Sequence, residues 1–578
     1  MELENDLKAR IQQWLGDGYD DETKREIGAL INQKDYVALT DAFYCDLEFG
    51  TGGIRGIMGV GTNRMNRYTV GVATQGLANF LINHYRNEQV KVAIAFDNRN
   101  NSNFFAAVCA DVLTASGIQV YLYEHLRPTP MLSFAVRELD CHAGIMVTAS
   151  HNPKEYNGYK VYGRDGGQLV SPLDDQVIQE VRNIRDISQV DFNGNPDLLT
   201  LIDENMDTRY RERIKRFAVY PEIGKQKDDL SIVYTSLHGT GITMVPDVLS
   251  DWGFGQVYVE ALQAVTDGNF STIESPNPEE REAFKIGLSL AETVNADIVL
   301  ATDPDCDRVG VAVKSSKGEY VLLNGNQIGS LLVFYVLSGA KEKGLLNGRQ
   351  FVAKTIVTTG LISEIARSFE VKEYEVLTGF KYIGEIITQL EGKETFLVGG
   401  EESYGYLIGD VVRDKDAIIS AAIIAEMAAY YKARGQTLLD TLQSLYAIYG
   451  YYKEELVSIT KKGKSGTEEI LTFMARLRER PLRYLGGVRI VEIRDYQSSV
   501  SIDLLKAGIR EIKLPKSNVL QFVSVEGDII TVRPSGTEPK IKFYCSSTSG
   551  QKESCEVIDD LLAEKIRMMV GDLVKLMD

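Results

Sequence analysis

The chain runs to 578 residues, 44% of them hydrophobic and 25% charged, which is enough for about four globular domains with cores of their own. Its formal net charge of −18 argues against a nucleic-acid or anionic-membrane partner, and six cysteines without CxxC spacing argue for reduced thiols rather than a disulfide framework. The first residues lack the basic start and apolar run of a signal peptide, and the best membrane candidate, Ala417 to Tyr431, contains Glu426 and is too short, so a cytoplasmic enzyme is expected.

In chain order, the segment before Tyr36 reads as helical and has no evident role. Apolar runs then recur as strands followed by helical patterns: Lys91 to Asp97, Gly144 to Val147, Ile232 to Tyr234, Ile298 to Leu300 and Phe351 to Val357. That alternation predicts three similar α/β domains with mixed sheets. Ala417 to Tyr431 reads as a buried helix. The last region reads as strand, polar loop, strand and then a helix from Val557 to Leu576, an α+β domain. Polar breaks set the expected boundaries at 1–204, 205–324, 325–450 and 451–578. Gly463-Lys464-Ser465 mimics the end of a P-loop, but Ser458 stands where its first glycine belongs, so nucleotide binding is rejected there.

Four loops carry the chemistry. Thr148-Ala149-Ser150-His151-Asn152-Pro153 follows a strand, and in open α/β sheets ligands bind beyond the carboxyl ends of strands, so Ser150 stands where chemistry is usually done. Asp303-Pro304-Asp305-Cys306-Asp307-Arg308 follows Ala296 to Ala301; read as extended, it puts Asp303, Asp305 and Asp307 on one face. Three converging carboxylates call for a hard cation such as Mg²⁺. An EF-hand is excluded, because Arg308 and Lys314 occupy its glycine and glutamate positions. Gly400-Glu401-Glu402-Ser403-Tyr404-Gly405 offers acceptors and a hydroxyl between glycines, which suits a polyol. Arg533-Pro534-Ser535-Gly536-Thr537-Glu538-Pro539-Lys540 joins two β-rich runs and has the donors of a phosphate cradle.

These four loops, in this order and at these separations, resemble the α-D-phosphohexomutase superfamily over nearly the whole chain. The likeness is greatest to its bacterial phosphoglucomutases of about this length, through Asp46-Leu47-Glu48-Phe49-Gly50-Thr51-Gly52-Gly53-Ile54-Arg55-Gly56 and Gly409-Asp410-Val411-Val412-Arg413-Asp414-Lys415-Asp416-Ala417. Cys306 departs from the family's usual small residue. The resemblance implies three α/β domains and a C-terminal α+β lid arranged around a central active-site cleft. It implies interconversion of α-D-glucose 1-phosphate and glucose 6-phosphate through a phosphoserine at Ser150, with glucose 1,6-bisphosphate as intermediate and activator. Mg²⁺ would be held by Asp303, Asp305, Asp307 and the phosphorylated Ser150.

Lys160 is the implied general base, pushed toward neutrality by Arg55 and the metal. His151 would lie beside the phosphoserine without forming a nucleophile and base pair, because adjacent residues of a strand face apart. Glu401 and Ser403 would hold the sugar hydroxyls, and Arg533, Ser535, Gly536 and Thr537 the phosphate that is not reacting. Thr378, Gly379 and Lys381 resemble a further sugar loop, Arg308 would face the same cleft, and Arg413 and Lys415 match another basic pair of the family. His238 reads as structural. The expected partners are small sugar phosphates, met by a monomer or homodimer. A mannose- or pentose-directed mutase of the superfamily, an aspartyl phosphatase acting through Asp303, and a silent sugar-phosphate sensor remain as alternatives.

Overall fold

The computed structural model describes residues 4–47, 53–223, 225–461, 463–535, 540–550 and 556–577. The chain folds as two compact units. One comprises Met1–Leu323, Ile383–Gly392 and Tyr404–Lys432, the other Asn324–Tyr382, Lys393–Ser403 and Ala433–Asp578.

The apolar runs of the first unit build two mixed sheets. Strands β1 (Ile54–Ile57), β2 (Lys91–Phe96), β3 (Gln119–Tyr123), β4 (Ala143–Val147), β5 (Tyr156–Gly163) and β6 (Leu199–Ile202) lie in the order β1-β5-β4-β2-β3-β6. Pairing from β4 through β2 and β3 to β6 is parallel, whereas β5 runs antiparallel to both β4 and β1. The central strands are buried on both faces, as a sheet covered by helices on either side requires. The second sheet repeats the recipe with β7 (Ser231–Thr235), β8 (Gln256–Val259), β9 (Ile298–Thr302), β10 (Val309–Lys314) and β11 (Tyr320–Leu323) in the order β11-β10-β9-β7-β8. In both sheets the chain leaves a central parallel strand through a polar loop and returns antiparallel beside it: β4 into β5, β9 into β10. Those two returns carry Ser150 and the three aspartates.

The apolar helix Ala417–Lys432 is buried nearly throughout, in agreement with its reading as a core element. Its one acid, Glu426, accepts from the backbone N–H groups of Val219 and Tyr220, so a buried carboxyl is matched by backbone donors. Among the described residues no helix is long and apolar enough to cross a membrane.

In the second unit β12 (Gln350–Thr355), β13 (Lys372–Val376) and β14 (Thr395–Gly400) form a parallel set with β12 central. Strand β15 (Tyr406–Ile408) belongs to the first unit. The C-terminal domain is an antiparallel sheet of β16 (Tyr451–Thr460), β17 (Tyr484–Leu485), β18 (Val488–Asp495), β19 (Val500–Asp503), β20 (Gly508–Glu511), β21 (Leu520–Ser524), β22 (Ile529–Pro534) and β23 (Lys540–Ser549). Its core, with Phe522, Ile530, Val532 and Phe543, also takes in Ile566, Met569 and Leu573 from the terminal helix Glu556–Lys575. Three α/β sheets and a C-terminal α+β domain are the predicted architecture.

Candidate active site

Ser150 takes a left-handed backbone conformation, φ 52°, immediately beyond β4. For a serine that costs of order 1–3 kcal/mol, and surrounding bonds must hold it. Arg99 does most of this work: its buried guanidinium donates to the carbonyls of Ser150 (2.6 Å), Asn152, Pro153 (2.9 Å) and Tyr156 (3.1 Å). Asp97 sets that guanidinium from 3.4 Å, and the Ser150 N–H donates to Thr148 Oγ1 at 2.8 Å. Sequence reasoning passed over Arg99; the available signal was its place just beyond the end of β2.

The Ser150 hydroxyl donates to Asp303 Oδ2 at 2.9 Å. Asp303, Asp305 and Asp307 are all buried, and one oxygen from each falls within 4.8 Å of the others. They do not converge by strand alternation. The loop is a turn closed by Cys306 N–H to Asp303 O at 2.9 Å, with Cys306 itself at φ 53°, and this turn rather than an extended face gathers the carboxylates. Three neighbouring elements tie its carbonyls down: Thr240 N–H to Pro304 O (2.8 Å), Thr129 N–H to Asp305 O (2.8 Å) and Ala417 N–H to Cys306 O (3.3 Å). Cys306 is wholly buried.

Burial disfavours every charge in this cluster. At Asp305 the Lys160 ammonium, 2.7 Å away, outweighs burial and holds the carboxyl well below its usual range. At Asp303 burial, reinforced by Asp305 and Asp307, pushes the carboxyl well above it. Asp305 Oδ1 and Asp307 Oδ1 are buried without a hydrogen-bond partner among the described residues. Orphaned carboxylate oxygens beside a hydroxyl fit a hard divalent cation, and the residues present can hold one.

Lys160 projects from β5 and lies 2.7 Å from Asp305 and 3.5 Å from Asp307. Burial alone would lower its pKa, but the two carboxylates prevail and the net shift is upward. The expected push toward neutrality combines Arg55 with a bound metal; Arg55 by itself is outweighed by the two carboxylates. His151 Nδ1 stands 3.3 Å from Ser150 Oγ. The strand argument that set these side chains apart fails, since Ser150 is in a left-handed loop. Burial, then Arg308 and Arg55, lower the His151 pKa well below its usual value, so the ring is neutral. Arg55 reaches the same loop, donating to Asn152 Oδ1 at 3.1 Å.

Lys415 Nζ lies 3.2 Å from Asp307 and 3.4 Å from Asp414, its aliphatic stem crossing Gly405 so closely that a Cβ there would meet Lys415 Cδ at 2.0 Å. Asp414 in turn accepts from Tyr162 Oη (2.7 Å) and Gln168 Nε2 (2.8 Å). Arg413, its neighbour, is not brought to the aspartates. Its fully buried guanidinium donates to the carbonyls of Asp410 (2.6 Å) and Val412 (3.2 Å) and pairs with Glu391 at 2.9 Å. Arg308 pairs with Glu279 at 2.6 Å. His238 donates through Nδ1 to Val265 O and accepts from Thr272 Oγ1, each at 2.8 Å, which gives it a turn-bracing place.

In the second unit, Glu401 is buried and its Oε1 accepts from Gly379 N–H at 3.1 Å, which ties the Gly400 loop to the Thr378 loop. Glu402 Oε2 accepts from Thr355 and Thr358, each at 3.3 Å. Thr378 Oγ1 is buried with no hydrogen-bond partner among the described residues. The Lys381 ammonium lies over the Tyr382 ring, 5.1 Å from its centroid. Ser403 closes the Gly400 loop at the edge of this unit. Arg533, next to last in β22, lies directly across from Lys542 of β23, and Ser535 N–H donates to Lys540 O at 2.7 Å. Gly536 and Thr537 lie outside the described residues, as do Glu48 to Gly52 of the motif around Arg55.

A strand-end serine facing three buried aspartates, on an α/β sheet repeated along the chain, defines a phosphosugar-mutase type of site and fold. The chain matches the phosphoglucomutase/phosphomannomutase models for alpha/beta/alpha domain I over residues 46–188, domain II over 208–318, domain III over 324–449 and the C-terminal domain over 491–563. It is 39% identical over 515 residues to a phosphoglucomutase of Staphylococcus haemolyticus, covering 87% of this chain and 91% of the relative. To a phosphoglucomutase of Staphylococcus aureus it is 38% identical over 541 residues, 93% of this chain and 95% of the relative. Among solved structures, the open form of the Paramecium phosphoprotein parafusin shares the fold at a TM-score of 0.69 and 18% identity, covering 92% of this chain and 96% of that one. A Thermus thermophilus structure described as a putative phosphomannomutase does so at 0.66 and 21%, covering 91% and 99%. The chain belongs to the phosphoglucomutase/phosphomannomutase family and is a mutase, an enzyme of the isomerase class.

Proposed function

We propose that this mutase interconverts α-D-glucose 1-phosphate and glucose 6-phosphate, with Ser150 cycling as phosphoserine and glucose 1,6-bisphosphate as the intermediate. The observation that carries the reading is the Ser150 hydroxyl 2.9 Å from Asp303, beside two buried carboxylate oxygens that have no hydrogen-bond partner among the described residues. A bound Mg²⁺ would be held by Asp303, Asp305, Asp307 and a phosphoryl oxygen on Ser150, where it would supply Lewis-acid neutralisation of phosphoryl charge.

The chain's own residues account for the rest. Arg99 holds Ser150 at one height above the sheet by gripping four carbonyls, so the transferring group stays aligned. As the phosphoryl group leaves Ser150 Oγ for a sugar hydroxyl, the hydroxyl proton passes to Lys160 Nζ, which must first have given up its own. Neutralising Asp305 and Asp307 removes what now keeps it charged. Neutral His151, at 3.3 Å, serves as a hydrogen-bonding neighbour of Ser150 Oγ rather than as its base. Glu401, Ser403, Thr378, Gly379 and Lys381 would bind sugar hydroxyls, and Arg533, Ser535, Gly536 and Thr537 the distal phosphate. Lys415, Arg308 and Arg55 add positive charge near the reacting phosphate, and Arg413 holds its loop. The division of the chain at 204, 324 and 450, the cytoplasmic location and a monomer or homodimer belong to the same proposal. Glu402 after Glu401 accords with a glucose preference, and the relatives named above carry the same activity in their names.

The test is turnover of glucose 1-phosphate with Mg²⁺ and a trace of glucose 1,6-bisphosphate, read through a coupled dehydrogenase. Rapid turnover that disappears in Ser150→Ala is the expected result. Wild-type turnover by that variant would remove Ser150 as the phosphate carrier and favour transfer through Asp303. Activity confined to mannose or pentose phosphates would redirect the substrate assignment.

A further inference from the structure

The segment ahead of residue 46 lies outside all four matched family domains, yet it forms a hydrophobic cluster of its own that takes in Tyr68 of the first domain. Helices α1 (Asn5–Trp14), α2 (Asp21–Gln33) and α3 (Tyr36–Phe43) enclose Trp14, Tyr19, Ile27, Leu39 and Phe43 and draw in Tyr68 from the helix that follows β1. The Tyr68 ring centroid lies 4.6 Å from that of Tyr19 and 5.5 Å from that of Trp14. Its hydroxyl donates to Asp20 Oδ2 and accepts from Asp20 N–H, each at 2.7 Å. A tyrosine bonded twice to one residue of the segment, within an aromatic cluster, is a fixed joint.

A second joint lies at the end of α3. A helix leaves its last carbonyls without intrahelical partners. Here the loop returning from β1 supplies them: Asn63 N–H donates to Ala42 O (2.9 Å), Asn63 Nδ2 and Arg64 Nη1 to Asp41 O (3.1 Å each), and Thr62 Oγ1 to Cys45 O (2.6 Å). Arg64 also pairs with the Asp41 carboxylate. A Cβ on Gly61 would meet Ala42 O at 2.4 Å, so the loop can lie this close only with glycine there.

The same loop fixes β1. Met65 N–H donates to Ile57 O at 2.8 Å, and β1 is a four-residue edge strand whose one sheet partner among the described residues is β5. So short an edge strand does not hold its own position. It carries Arg55, opposite Gly158 in register and bonded to Asn152 of the Ser150 loop at 3.1 Å.

We propose that the segment 4–46 is a clamp which positions Arg55 over the Ser150 loop, acting through the Tyr68–Asp20 joint and the α3 carbonyls. The inference rests on the reading of Ser150 and Arg55 as catalytic groups. Tyr68→Phe removes both bonds to Asp20 and leaves the ring in place, and Thr62→Val removes a single donor at the second joint should the first variant fold poorly. Each is measured alone and combined with Arg55→Ala, for kcat and KM on glucose 1-phosphate and for thermal midpoint. The clamp predicts that Tyr68→Phe lowers kcat about tenfold with KM little changed, and lowers it no further once Arg55 is alanine. Effects that multiply independently, or an unchanged kcat in both single clamp variants, would overturn the clamp and leave the mutase reading intact. Arg55→Ala turning over at the wild-type rate would instead sink the assignment of Arg55, and the clamp with it.

Discussion

Arg99 shows how much of this site is carried by a side chain that need never touch substrate. Its guanidinium is buried and its donors go to four carbonyls of one loop, geometry that a planar fork satisfies and an ammonium cannot. Arg99→Lys keeps the charge and loses the fork. The expected result is a destabilisation of about 3 kcal/mol, from carbonyls and Asp97 left poorly matched in a buried place. A fall in kcat of about 10- to 100-fold should accompany it as Ser150 leaves its strained position. Denaturant unfolding and steady-state kinetics on the same preparation check both, and a lysine variant equal to wild type in each would remove the positioning role. Its place just beyond β2 was the one signal, and it did not name the partners, because the carbonyls it serves lie more than fifty residues on. Arg413 is the converse. Its spacing beside Lys415 matched a basic pair, but it is bonded to its own loop's carbonyls and to Glu391 while Lys415 reaches Asp307.

At the scale of elements, the sheets were legible because apolar runs buried on both faces can hardly be anything but central strands. The loops between them were legible only in composition. Three aspartates at alternate positions were read as one face of an extended chain. They meet instead through a turn with a left-handed cysteine, a conformation that no alternation rule supplies. The contacts holding that turn, from Thr129, Thr240 and Ala417, arrive from distant points of the sequence and have no local signal. The turn also yields a prediction about metal. Its three buried carboxylates repel one another, so a cation that binds among them only in the folded chain must stabilise it. Mg²⁺ at a hundred times its dissociation constant is expected to add about 2.7 kcal/mol, and Asp307→Asn to lose most of that increment. Thermal melts with Mg²⁺ and with a chelator decide it: an equal shift in wild type and variant would mean that the ion binds elsewhere.

For the whole molecule, the sequence displays an excess of acids but not which of them are buried, and that sets its response to pH. Asp416 in the first unit is raised to about 6, by burial against the bonds it takes from Tyr210 and the N–H groups of Ile418 and Ile419. Glu454 in the second is raised to about 7 by burial, against bonds from Thr359 and Ser546 and the nearby charge of Lys453. Its Oε1 has no hydrogen-bond partner among the described residues. Both acids hold their protons more tightly folded than unfolded, the reverse of a carboxylate stabilised by a salt bridge. Each therefore favours the folded state at low pH and loses that contribution as pH rises, for Glu454 across the interval from 4.5 to about 7. Above that interval Glu454 sits charged in a place that disfavours charge. Glu454→Gln keeps the shape and removes the ionisation, so it should raise stability at pH 8 by about 1–3 kcal/mol and leave it nearly unchanged at pH 5. Because every other titrating group is common to both proteins, the difference between their unfolding curves at the two pH values isolates this one carboxyl. An equal effect of the substitution at pH 5 and pH 8 would show that Glu454 does not titrate in this range, and a loss of stability at pH 8 would show that its charge is matched by a partner.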